Sequence, residues 1–149
     1  MNTYAKRLIR YFEGHSYRPY RCPAGYWTIG YGHKIKPHET FSVLTDREIE
    51  ALLNQDLNER QHHLAALIQV PLTQHEEGAL LSFIFNVGAG AFQRSALRMK
   101  INRKEHGEVV HEFRKWIWAG GKKSPGLMAR RMAEAQCYLG NSFLKTSNH

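Results

Sequence analysis

The stretch EGHSYRPYRCPAGYWTIGYGH, Glu13 to His33, decides how this chain is read. It is rich in Tyr, Trp, Thr, Ile, Gly and Pro, and Pro23-Ala24-Gly25 reads as a turn between two short strands. Within it Glu13, Cys22 and Thr28 stand at the spacing E-x8-C-x5-T. A hairpin brings Cys22, just before the turn, together with Thr28, at the start of the returning strand. Both then face the end of whatever precedes Glu13, and the three residues enclose a pocket.

Upstream, Tyr4, Leu8, Ile9 and Phe12 recur at helical spacing with Lys6, Arg7 and Arg10 on other faces, so residues 3 to 13 are expected to form a short amphipathic helix closed by Gly14. Glu13 ends it. The C-terminal pole of a helix is negative and disfavours an anionic side chain, so this carboxyl is expected to hold its proton more readily than usual. Downstream, Thr45-Asp46-Arg47-Glu48 opens a long helix to about Ile68, and Thr73-Gln74-His75-Glu76 opens a second, apolar on nearly all faces and therefore buried, up to Gly88. Three shorter helical segments are expected near 92–101, 105–118 and 125–139, the last announced by Ser124-Pro125 and ended by Gly140. The expected fold is α+β and mainly α: a small β-hairpin lobe, about 15–40, beside a helical lobe, about 45–141, built around a central buried helix, with 1–149 as one domain.

Glycoside hydrolysis needs a neutral acid to protonate the leaving oxygen and a second group on the opposite side, acting on water or on the sugar itself. Glu13 suits the first role if its helix end and apolar neighbours raise its pKa. The spacing of Glu13, Cys22 and Thr28 resembles the active-site signature of the tailed-phage lysozymes, glycoside hydrolase family 24. T-I-G-Y-G-H (Thr28 to His33), F-N-V-G-A-G-A-F (Phe85 to Phe92) and W-I-W-A-G-G-K…P-G-L-M-A-R-R-M-A-E (Trp116 to Glu134) extend the resemblance, in order, over all but Ser142 to His149. It implies a lysozyme-like fold and a muramidase cleaving the β-1,4 bond between N-acetylmuramic acid and N-acetylglucosamine. By the same resemblance Glu13 is the catalytic acid, Cys22 the second catalytic position and Thr28 a holder of the attacking water. Lys34 is implied near bound sugar, Phe85 and Asn86 face the groove, and Gly32 and His33 shape the hairpin beside it. Many members of the family carry Asp where this chain has Cys22. A free thiol is mostly neutral at pH 7 unless a cation lowers its pKa, and Arg18 and Arg21 are the candidates. Its role as a water-orienting base giving inversion or as a nucleophile giving retention stays open, with inversion preferred because Thr28 offers a second hold on water.

Composition supports this reading without deciding it. Twenty-one Lys and Arg against 13 Asp and Glu leave a formal charge of +8, which draws the chain toward polyanions: nucleic acid, anionic lipid or the bacterial wall. No nucleic-acid motif or aromatic-basic platform accompanies that charge. Two cysteines, Cys22 and Cys137, make no disulfide framework, and Cys137 reads as a buried helix residue. The nine histidines have no ligand partners at metal spacing, so no metal or cofactor is expected. Trp116 and Trp118 read as core residues, and Trp27 is balanced between core and sugar stacking. Without an apolar leader or an 18-residue apolar run, no signal peptide and no stable membrane insertion are expected. The resemblance then implies a monomer that waits in the host cytoplasm for a holin to release it to peptidoglycan. Two rivals carry weight: a lytic transglycosylase, which uses one acid and no water, and a non-catalytic cationic protein binding walls or membranes through the segment Leu127 to Leu139, whose Arg130 and Arg131 otherwise read as the solvated side of a core helix.

Overall fold

The computed structural model describes residues 1–141; the end of the expected domain, 142–149, lies outside the described residues. The chain opens with α1 (Thr3–Glu13), whose Ala5, Leu8 and Ile9 are buried. Asn2 caps it, accepting from the Ala5 amide at 2.9 Å and donating to the Gln74 carbonyl oxygen at 2.9 Å, which ties the start of α1 to the start of the central helix. The two helices meet so closely there that a Cβ on Gly78 would come within 2.6 Å of both Asn2 Oδ1 and Tyr4 Cβ. This contact directs α1, and with it the position of Glu13.

Three strands follow: β1 (Ser16–Arg21), β2 (Trp27–Gly30) and β3 (His33–Lys34), antiparallel in the order β1-β2-β3. The expected hairpin is therefore a three-stranded sheet, its last strand too short for any periodicity to reveal. The β1–β2 turn lies where the sequence puts it, closed by the Gly25 amide on the Cys22 carbonyl oxygen at 2.8 Å. The β1 register shifts between Ser16 and Tyr20, around Pro19, which has no amide hydrogen to give to a ladder. Tyr20 pairs with Thr28 and Thr28 with Lys34, so the three share one face of the sheet. Cys22, two residues beyond Tyr20, lies on the same side by strand alternation.

The long helix α2 (Asp46–Leu67) and the central α3 (Gln74–Val87) both begin with the full reciprocal capping boxes read from sequence. Residues 78 to 84 of α3 are all buried, and α3 packs against α1, α2 and the last helix. Beyond Gly88 come α4 (Ala89–Gln93), α5 (Ala96–Asn102), a 3-10 turn at His106–Glu108, α6 (Val109–Phe113) and α7 (Pro125–Tyr138). The helix expected over 105–118 stops at Phe113. In its place a second hairpin forms from β4 (Trp118–Ala119) and β5 (Lys122–Lys123), turned by Gly120 and Gly121, both at positive φ (58° and 79°). Paired left-handed residues make the turn that joins two antiparallel strands with their natural twist, and a Gly-Gly pair adopts it without strain. Trp118 on this hairpin is 57% exposed rather than in the core, whereas Trp116 packs edge-on against Phe83 as expected.

Candidate active site

Glu13 is the last residue of α1, and its carboxyl is met from three sides. Arg130 on α7 donates from Nη1 to Glu13 Oε2 at 2.6 Å. On the sheet side, a Cβ on Gly32 would approach Glu13 Oε1 to 2.9 Å, so the β2–β3 turn passes close only because that position is glycine, at φ +78°. The third side opens on a cavity of about 270 Å³ lined by Phe12, Glu13, Asn86, Ser124, Gly126, Leu127 and Arg130. Sequence reasoning left the carboxyl unopposed at the negative helix pole; a guanidinium stands there instead and fixes its orientation. A larger hollow of about 480 Å³ lies among Thr3, Lys6, Arg7, Arg10 and Tyr11. No carboxylate lines it, whereas Glu13 lines the smaller one.

Arg130 reaches Glu13 from within a buried charge cluster. Its Nε pairs with Glu134 Oε2 at 3.3 Å and its Nη2 donates to the Ser82 carbonyl oxygen at 3.1 Å. Arg131 Nη1 pairs with Glu134 Oε1 at 2.7 Å, the Ser82 hydroxyl donates to Glu134 Oε2 at 2.7 Å, and Asn86 Oδ1 accepts from Arg131 Nη2. The Arg131 guanidinium lies over the Phe83 ring, 4.9 Å from its centre. Arg130 and Arg131 are 4% and 1% exposed, which overturns the reading of them as a solvated basic side. Solvent meets Met128, Met132 and Leu139 instead. Burial pushes the Glu134 carboxyl up and pulls the Arg131 guanidinium down, each opposed by the other's charge. Guanidinium does not surrender its proton in proteins, and each of the two cations is paired here: Arg131 with Glu134, and Arg130 with both Glu134 and Glu13.

The β1–β2 turn carries Cys22. Its amide donates to the Tyr26 carbonyl oxygen at 2.9 Å, and the buried Thr28 hydroxyl donates to the same oxygen at 3.0 Å. Hydrogen bonding from the Tyr26 backbone, helped by Ala24, Thr28 and Gly25, outweighs desolvation and holds the Cys22 thiol below its ordinary value. The cations expected to do this act elsewhere: the Arg21 guanidinium lies 5.2 Å from the centre of the Trp27 ring. Tyr20, absent from the sequence reading, joins the group. Its phenol is held above its ordinary value by desolvation, then by the charges of Glu13 and Cys22, so it lies within electrostatic reach of both. Strand alternation, which puts Tyr20 on the face of Cys22 and Thr28, could have found it.

The binding candidates separate. Asn86 lines the Glu13 cavity, and the half-buried Phe85 packs 3.8 Å from where a Gly32 Cβ would stand. Lys34 shares the sheet face of Thr28 but is exposed, its ammonium over the Tyr26 ring at 4.3 Å, away from that cavity's lining. Trp27 is 51% exposed. His33 is buried and ion-paired: Nδ1 lies 2.8 Å from Asp56 Oδ2 and Nε2 lies 2.9 Å from Glu39 Oε1.

The phage lysozyme family model matches residues 10–134, a span that runs from before Glu13 to Glu134. The chain belongs to the phage lysozyme family. It is 39% identical over 127 residues to the SAR-endolysin of Enterobacteria phage PA-2, covering 85% of this chain and 77% of that protein. It is 40% identical over 131 residues to an endolysin of Acyrthosiphon pisum secondary endosymbiont phage 1, covering 85% and 89%. Among solved structures, the endolysin of Escherichia coli O157:H7 phage FAHEc1 superposes with a TM-score of 0.81 at 33% identity, over 92% of this chain and 91% of that one. The lysozyme fold expected from sequence is therefore the observed one.

Proposed function

We infer that this phage lysozyme is a peptidoglycan hydrolase acting in lysis of a bacterial host, cleaving the β-1,4 bond between N-acetylmuramic acid and N-acetylglucosamine with Glu13 as its acid. The observation that carries the reading is the Glu13 carboxyl, fixed by Arg130 at 2.6 Å on the wall of a cavity, with the Tyr20 phenol within electrostatic reach of both Glu13 and Cys22. Glu13 passes its proton to the glycosidic oxygen as the bond to the anomeric carbon breaks. The carboxylate left behind is received by the Arg130 guanidinium already in contact with it. A water on the opposite side, held by the Thr28 hydroxyl, gives a proton to the Cys22 sulfur in its thiolate form, which becomes the thiol, and gives its hydroxyl to the anomeric carbon, with inversion. A thiol below its ordinary value suits that base. It suits equally a nucleophile giving retention, and the anomer first released separates the two.

Asn86 and Phe85 belong to the substrate groove in this reading; Lys34 meets sugar only where the glycan runs beyond the cavity, over the sheet. A single domain, a monomeric state and holin-dependent release from the host cytoplasm complete the proposal and rest on the family resemblance. Among the described residues no helix is long and apolar enough to cross a membrane. The test is Glu13→Gln, which keeps the shape and removes the proton. Its rate on purified walls is expected to fall by roughly 10²–10⁴-fold with unfolding temperature little changed. Lysis at the wild-type rate would end the assignment.

A further inference from the structure

Glu134 has no exposed surface and no contact with the cavity, yet it governs the residue that holds the acid. Four charged groups stand in line. Glu13 meets Arg130 Nη1, Arg130 Nε meets Glu134 Oε2, and Glu134 Oε1 meets Arg131 Nη1, at 2.6, 3.3 and 2.7 Å. Signs alternate along the line, so each inner group divides its attraction between two neighbours. Ser82 on α3 locks the middle, its hydroxyl donating to Glu134 and its carbonyl oxygen accepting from Arg130. We propose that Glu134 is a positioning residue for the acid: by taking up part of the Arg130 charge, it sets how strongly Arg130 holds the Glu13 carboxylate.

The inference rests on reading Glu13 as the acid. A proton donor beside an undivided guanidinium would be held in its spent, anionic form. A donor beside none would lose both its orientation and the partner that receives its charge. Glu134 places the site between these limits, and Arg131 keeps Glu134 from taking Arg130 entirely. The other groups facing Glu13 are the Tyr20 phenol on β1 and, at longer range, Arg131. Facing Glu134 are Arg130, Arg131, the Ser82 hydroxyl and the Cys137 thiol, which burial and then the Glu134 charge push up to about 11, leaving it neutral in the working range. None of these reverses the alternation.

Opposite charge changes must therefore move Glu13 in opposite directions. The measurement is the titration of the Glu13 carboxyl carbon by NMR in the full chain, its signal assigned by its loss in Glu13→Gln. Glu134→Gln is expected to move the midpoint to lower pH, by roughly one unit. Arg131→Met is expected to move it to higher pH, and Arg131→Lys, which keeps the charge, to restore it. Midpoints that stay fixed, or that move the same way in Glu134→Gln and Arg131→Met, would overturn the inference; a purely structural role predicts no such pair of signs. Where Glu134→Gln does not fold, Arg131→Met against Arg131→Lys decides alone. Wall hydrolysis by the same Glu13→Gln protein distinguishes the two levels. An inactive Glu13→Gln with fixed midpoints ends this inference only, whereas an active one ends the acid assignment beneath it.

Discussion

Cys22 is tuned by backbone. Its lowered thiol owes most to the Tyr26 backbone, with Ala24, Thr28 and Gly25 behind, and no guanidinium is needed. Alkylation of the native protein by iodoacetamide is therefore expected to reach half its plateau rate at a lower pH than for an unperturbed free thiol under the same conditions. Thr28→Val removes one of the contributing hydrogen bonds and is expected to raise that midpoint. Cys137 does not interfere, being buried with its thiol pushed up to about 11. A wild-type midpoint at or above that of an ordinary cysteine would contradict the account of the turn. Arg18 and Arg21 were the visible candidates because a sequence spells out its cations. Backbone amides are the same at every position, and only the closed turn from Cys22 to Tyr26 aims them at one sulfur.

The sheet is held to α2 through His33, whose two ring nitrogens both face carboxylates, Asp56 and Glu39. Carboxylates accept and do not donate, so both bonds are made only by the imidazolium. Burial works against that charge, yet the hydrogen bonds that the ring donates to Asp56 and Glu39 outweigh it and raise the His33 value. Glu39 is lowered in turn, its own desolvation outweighed by the Lys36 amide and His33. The raised His33 contributes stability that is full below about pH 6.5 and is lost as pH climbs through its folded value; the lowered Glu39 contributes above about pH 4.5 and is lost as pH falls through its own. Unfolding temperature measured from about pH 3 to about pH 9 is expected to peak between those limits. His33→Asn is expected to cost roughly 2–4 kcal/mol near the peak and to flatten the alkaline fall. An unchanged alkaline fall in His33→Asn would contradict this. At this scale the helices were legible, because capping boxes at Thr45 and Thr73 are local chemistry. The third strand and the second hairpin were not. Two-residue strands carry no period, and the A-G-G-K turn at Ala119 to Lys122 is recognised by its left-handed glycines only when a strand is already suspected on either side.

Over the whole molecule, the family was legible from E-x8-C-x5-T and the blocks that follow, but the charge cluster behind Glu13 was not. Arg130, Arg131 and Glu134 show helical pairing distances in the sequence, yet the contact that joins them to the proposed site is with Glu13, 117 positions from Arg130 in the chain. Long-range burial turned a basic helix side inward and left methionines outside. The remaining surface keeps the excess of cations, a formal charge of +8. Attraction between that surface and an anionic wall is screened over about 8–10 Å at physiological salt, so lysis of walls is expected to slow several-fold between low and physiological ionic strength while cleavage of a short uncharged glycan stays level. An equal fall on both substrates would place the salt effect inside the cavity instead. The central claim, a water-using cleavage driven by Glu13, is tested most directly by mass spectrometry of muropeptides released from purified peptidoglycan in water enriched with heavy oxygen. The account predicts reducing muramic acid ends carrying the label, and none from Glu13→Gln. Unlabelled anhydro-muramic ends, the mark of a transglycosylase, or no release at all from the wild-type protein would contradict it.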